Sequence, residues 1–132
     1  GLGLPPTEVY QHKNERCLAV YDTEEEIKAL KPDMQLLKKL EHRGITVTAI
    51  GKEVDFVSRT FYPQKAISED PVTGASHCLL APYWSKRLNK TELHARQVSQ
   101  RGGEMICRYQ GDRVLISGKA VMYMRGMITH KK

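Results

Sequence analysis

One stretch restricts the fold of this chain more than any other. Residues Thr73 to Leu88 read as a helix that is apolar nearly all round, and such a helix has to be enclosed by other elements. Its entrance is Ser68-Glu69-Asp70-Pro71-Val72-Thr73-Gly74-Ala75-Ser76-His77. The first-turn N–H groups of a helix have no intrahelical partner and carry the positive end of its dipole. With an acidic pair beside them, they make an anion site at the edge of a candidate active site. Pro82 lies inside the helix, removes one backbone hydrogen bond and predicts a kink.

The elements around it follow from local pattern. Thr7–Gln11 and Arg16–Tyr21 read as strands joined by the polar turn His12-Lys13-Asn14-Glu15. Asp22 or Thr23 caps a short helix over Glu24–Leu30, with Glu26 completing a capping box after Thr23. Asp33 caps a second helix from Met34 to about His42, which Gly44 closes. Strands are expected over 45–50, 54–62, 92–99, 104–109, 113–117 and 120–125, with Gly102-Gly103, Gly111-Asp112 and Gly118 as turns. The fold class is therefore α+β: a mostly antiparallel, barrel-like sheet wrapped around one central helix, with two short surface helices.

Composition narrows the function classes. At 132 residues the chain suits a single unit with a real core. No apolar run is long enough to span a membrane. Gly1-Leu2-Gly3-Leu4-Pro5-Pro6 does not read as a signal peptide. Cys17, Cys78 and Cys107 are odd in number and widely spaced, which favours neither zinc nor disulfides and suggests a reduced, cytoplasmic setting. All of the +6 net charge falls in residues 67–132. Those basic residues are scattered singly, so a solvated surface explains them better than nucleic-acid binding.

Specific motifs go further. Asp55-Phe56-Val57-Ser58-Arg59-Thr60-Phe61-Tyr62-Pro63, Glu69-Asp70-Pro71-Val72-Thr73-Gly74, His77-Cys78 and Ala81-Pro82-Tyr83-Trp84 resemble the PhzF-like family. That family is named for a phenazine-biosynthesis isomerase and shares the diaminopimelate-epimerase fold. Leu40–Gly44, Gln97–Glu104 and Gly118–Val121 resemble it too. The resemblance covers nearly the whole chain but only the second of the family's two lobes, between which the active site lies. It implies an isomerase or epimerase that shifts a proton on a small carboxylate without cofactor or metal. Its glutamate acid/base and a histidine come from the first lobe; Asn14-Glu15 lies in a turn of the second and does not inherit that role. The partner is then a separate first-lobe chain, or a second copy in a homodimer, unless the chain is a fragment whose Gly1–Leu4 belongs to an interlobe linker. The alternative function is a non-catalytic module that binds an anion or a partner.

The same resemblance assigns residues. Asp70 is the candidate catalytic residue. Thr73, Gly74 and Ala75 would offer N–H groups to a substrate carboxylate, and Thr73 would also be a plain helix cap. The family pattern Thr-Gly-Ser-Ala stands here as Thr-Gly-Ala-Ser, which moves the hydroxyl about 100° around the helix. Ser76 therefore enters as a substrate-binding candidate in an altered position. Arg59 either pairs with Asp55 or reaches the substrate carboxylate. Glu69 is expected to face outward. His77 is a proton-transfer candidate by type but reads better as a packing or surface histidine; Cys78 reads as packing, since Pro71 occupies the register of the cysteine found in racemases of this fold. Arg101-Gly102-Gly103 reads as a turn, and Tyr83 and Trp84 as core.

Overall fold

A computed structural model describes residues 1–12, 16–40 and 42–130. Lys13, Asn14 and Glu15 of the expected turn, Glu41, Lys131 and Lys132 lie outside the described residues. The elements run β1 (Glu8–His12), β2 (Arg16–Val20), α1 (Glu24–Ala29), α2 (Met34–Lys38), β3 (Gly44–Ile50), β4 (Phe56–Phe61), β5 (Glu69–Asp70), α3 (Gly74–Leu88), β6 (Glu92–Gln97), β7 (Gly103–Tyr109) and β8 (Val114–Ser117).

Local chemistry sets several boundaries. The Thr23 hydroxyl accepts from the Glu26 N–H while the Glu26 carboxylate accepts from the Thr23 N–H, a complete capping box. Asp33 caps α2 by accepting from the Gln35 and Leu36 N–H groups at 2.9 and 3.1 Å. Gly44 does not close α2 but starts β3, where its bare Cα lies against the Tyr62 ring. The expected strand over 120–125 is absent; residues 118–130 form neither helix nor strand.

Among the described residues the strands form one mixed sheet of eight, in the order β1-β2-β3-β4-β6-β7-β8, with β5 paired to β4. β2–β3 and β4–β6 are parallel and the other pairings antiparallel. The sheet is open, and three helices cover it on two faces, whereas a barrel-like sheet around one helix was expected. Each parallel pair needs a crossover. The β2–β3 crossover carries α1 and α2, and the β4–β6 crossover carries α3. The two pairs run in opposite directions while the sheet order advances the same way. A fixed crossover hand therefore sends the two sets of helices to opposite faces.

Strand alternation gives each face its own core. Leu80, Ala81 and Trp84 of α3 pack with Leu18, Val20, Phe56, Leu93, Ala95, Met105 and Cys107. On the opposite face Ile27 and Leu30 pack with Ala19, Tyr21, Val47, Ala49, Val57 and Phe61. α3 is one-sided rather than enclosed: Ser76, His77, Leu80, Ala81, Trp84 and Ser85 are buried, while Gly74, Ala75, Cys78, Lys86 and Arg87 are exposed. It continues through Pro82 as one helix.

Candidate active site

β5 and β6 lie one after the other along the same edge of β4. β6 pairs with Phe56–Ser58, and β5 pairs with Thr60 and Phe61. The chain thus leaves the sheet at Asp70 and re-enters as α3 beside the end of β6. Gln97, fully buried there, fixes the connection. Its Oε1 accepts from the Thr73 N–H at 2.8 Å, and its Nε2 donates to the Thr73 hydroxyl and the Asp70 carbonyl. The Ser99 hydroxyl donates to the Pro71 carbonyl at 2.8 Å and accepts from the Gly102 N–H. Val72 rests on Gly103, where a Cβ would stand 2.4 Å from Val72 Cγ2. Gly102 turns the chain between β6 and β7 at φ +71°, in the region that favours glycine.

The helix mouth is left without a side-chain cap. Thr73 occupies the N-cap position, but its hydroxyl makes no capping bond and is engaged by Gln97 instead. Among the described residues the first-turn N–H groups therefore have no side-chain acceptor. Gly74 and Ala75 are exposed there. A Cβ added at Gly74 would meet nothing within 4 Å. Gly74 borders a concavity of about 760 Å³ that Val72, Gly103, Met105, Arg101 and Lys119 also line.

Thr73 was expected to offer its N–H to a substrate and Ser76 its hydroxyl, but the Thr73 N–H is taken by Gln97 and neither side chain faces the mouth. Both are buried, and the Ser76 hydroxyl donates to the Thr73 carbonyl at 2.9 Å. Position 75, exposed beside Gly74 in this turn, is alanine in this chain. His77 is a buried packing residue, with its Nδ1 2.7 Å from the Thr73 carbonyl and its ring beside Phe56. Burial pushes its pKa below the ordinary 6.5, opposed in part by the bond to the carbonyl. Nε2 has no hydrogen-bond partner among the described residues. Burial thus favours the neutral ring, with Nδ1 donating to the carbonyl.

Asp70 pairs with Thr60 in register, so the pleat turns its side chain to the α3 face. Among the described residues no side chain pairs with its carboxylate, which is half-buried. The same register sends Arg59 and Glu69 to the opposite face. There Arg59 holds Glu69 bidentately, Nε to Oε1 at 2.8 Å and Nη2 to Oε2 at 3.0 Å. Its Nη1 donates to the Ile27 and Leu30 carbonyls at the end of α1. Both expectations for Arg59 are thereby corrected: Asp55 is engaged elsewhere, and strand parity turns Arg59 away from the face that holds Asp70 and the helix mouth. Asp55 accepts from Lys90 and from the His94 N–H. Glu69 is an ion-pair partner rather than an outward charge.

Two further residues reach this region without a local sequence signal. Arg16 on β2 donates to the Ala75 carbonyl at 3.1 Å, across 59 positions of sequence. Gln97 tethers the loop across 24 to 27 positions. Cys78 is exposed rather than packed, and burial pushes the Cys107 thiol up to about 11. Among the described residues no group of three or more His, Cys, Asp or Glu is placed to hold a metal ion. No helix of the described residues is long and apolar enough to cross a membrane.

Among the described residues, a helix mouth without a side-chain cap, a loop tied down by Gln97 and an aspartate with no side-chain partner share one face of an α+β scaffold. Residues 3–126 match the PhzC-PhzF family of phenazine biosynthesis-like proteins, and the chain belongs to that family. An uncharacterized isomerase of Pseudomonas aeruginosa is 49% identical over 127 residues, which is 96% of this chain and 48% of the relative. Mouse phenazine biosynthesis-like domain-containing protein 2 is 40% identical over 78% of this chain and 40% of its own length. A crystal structure of a PhzC/PhzF protein from Clostridium difficile superposes with TM-score 0.86 at 43% identity, over 96% of this chain and 49% of that one. An Enterococcus faecalis PhzF-family structure gives TM-score 0.87 at 45% identity, over 93% and 47%. The chain spans about half the length of the curated bacterial relatives it matches.

Proposed function

We propose that this chain is the second lobe of a cofactor-independent, PhzF-like isomerase or epimerase, and that it forms one wall of the active site. The observation that carries the reading is the mouth of α3, which among the described residues has no side-chain cap, with Gly74 and Ala75 exposed and Asp70 without a side-chain partner on the same face. A small carboxylate is held by the first-turn N–H groups, where dipole and donors both favour an anion. Asp70 assists a proton transfer whose main acid/base belongs to the companion lobe. One positioned acid/base group supplies about 10²–10⁴-fold. Enclosure between two lobes supplies positioning and exclusion of water. Thr73 and Ser76 serve as structure beneath the mouth, and Arg59 is outside the site.

Carboxylate binding is tested by titrating the protein with succinate and benzoate and following backbone amide resonances. Shifts concentrated at Gly74 and Ala75 are expected, and no shift there up to saturation of the probe sinks the anion reading. The role of Asp70 is tested after assembly with the companion lobe, by deuterium wash-in from D2O into candidate carboxylates. Asp70→Asn is expected to keep the amide shifts and lose the wash-in. Unchanged wash-in removes Asp70 from the chemistry.

A further inference from the structure

β5 is two residues long, and both residues are acidic. Its backbone partner is β4, where Phe61 pairs with Glu69 and Thr60 with Asp70. The chain reaches it through residues 64–68, which are all exposed. Successive strand residues face opposite sides of a sheet. A slip of one position would therefore turn Glu69 to the mouth of α3 and Asp70 to the α1 face. In most strands a buried apolar stripe forbids such a slip. Here each of the two side chains is a carboxylate, so polarity alone does not choose between them.

Arg59 makes the choice. Its Nη1 donates to the Ile27 and Leu30 carbonyls, both at 3.1 Å, and its Cζ lies 5.0 Å from the centre of the Phe61 ring. These contacts hold the guanidinium fork on the α1 face, where Nε and Nη2 meet the two Glu69 oxygens. A bidentate pair of this kind is specific in geometry as well as in charge, and an aspartate in the place of Glu69 would end one methylene short of it. The two side chains are largely out of water, at 13% and 24% exposure. An ion pair so placed is a weak source of net stability, and fixing a register is the better-attested use of one.

We infer that Arg59 and Glu69 are positioning residues: their ion pair, on the back of β5, sets the register that presents Asp70 to the mouth of α3. The catalytic consequence rests on the role proposed for Asp70, whereas the register is read without turnover. On the other side of β5, Gln97 holds the Asp70 carbonyl and the Thr73 N–H. The mouth of α3 therefore keeps its place when the ion pair is lost, and what loosens is the strand that carries Asp70.

The test uses Glu69→Gln, which keeps the shape of the side chain and removes its charge. On the chain alone, cross-strand nuclear Overhauser contacts of Phe61 with Glu69 and of Thr60 with Asp70 report the register. They are expected in wild type and lost or averaged in Glu69→Gln, while the succinate shifts at Gly74 and Ala75 persist. After assembly with the companion lobe, kcat for deuterium wash-in falls at least about tenfold with KM unchanged, since a misplacement of about 1 Å can cost about 10²-fold. Glu69→Asp, charged but too short for the fork, carries the same expectations if Glu69→Gln does not fold. Cross-strand contacts of wild-type strength in the variant overturn the inference and leave the ion pair a structural one. So does an unchanged kcat where Asp70→Asn loses the wash-in. Where Asp70→Asn keeps the wash-in, the role proposed for Asp70 fails instead, and the cross-strand contacts alone decide the register.

Discussion

Position 75 is the residue at which sequence and site meet most directly. The first turn of α3 exposes Ala75 and buries Ser76, whose hydroxyl is bound to the Thr73 carbonyl. A hydroxyl at 75 would stand in the open mouth beside the N–H groups. Ala75→Ser is therefore expected to tighten succinate binding, by an amount on the order of a single net hydrogen bond, about 0.5–1.5 kcal/mol. Ser76→Ala should leave probe affinity alone and cost stability of similar size. The readouts are amide-shift titration and urea unfolding; weaker binding in Ser76→Ala but not in Ala75→Ser would reverse the assignment.

His77 carries the pH prediction. Burial lowers its folded pKa below 6.5, while the unfolded chain keeps the ordinary value. Between the two values the unfolded state binds the extra proton. Stability is therefore unaffected by His77 above about 6.5 and falls as pH drops toward the folded pKa, by up to about 1.4 kcal/mol per pH unit. His77→Phe should remove that part of the slope from the urea midpoint measured between pH 7 and 5. An identical slope in the variant would show that His77 is not the group responsible.

At the scale of elements, the loop between β5 and α3 is held by a side chain from one strand and a missing side chain in the next. Gln97→Leu keeps the volume but leaves the buried Thr73 N–H without its acceptor, which costs about 1–3 kcal/mol. Gly103→Ala drives a methyl into Val72. Overpacking of this kind costs about 1–3 kcal/mol, and adding Val72→Ala should recover part of it. Both single variants should also weaken succinate binding, because the loop positions the mouth. A stability loss with unchanged binding in each would separate the loop from the site.

These loop contacts also mark how far the sequence could be read. The Thr23–Glu26 box, the Asp33 cap and the extent of α3 depend on neighbours within four residues, and local pattern suffices for them. Arg59 could be placed only with the β4–β5 register known, because one step along a strand decides which face a side chain takes. Gln97 and Arg16 needed the sheet order as well. Gly44 satisfies the helix-stop pattern and the start of a buried strand equally, and the Tyr62 ring decides between them. The 120–125 pattern is that of a strand, but a strand exists only beside another.

For the whole molecule, the two helical faces share the same strands, and that sharing predicts one cooperative unit. β3 and β4 are buried on both sides. Trp84, the single tryptophan, reports on the α3 face, where it stacks on Phe56 and donates to the Thr48 hydroxyl at 2.9 Å. Ile27 fills the opposite face and is completely buried. Ile27→Ala opens a cavity there and is expected to cost about 2–5 kcal/mol. If the sheet couples the faces, the Trp84 emission midpoint in urea falls by the same amount as the far-UV circular dichroism midpoint, although Trp84 lies across the sheet from the substitution. Coincident transitions are the mark of two-state unfolding. A Trp84 transition left at its wild-type midpoint would mean that α1 and α2 come off separately, with the α3 face and its helix mouth standing without them.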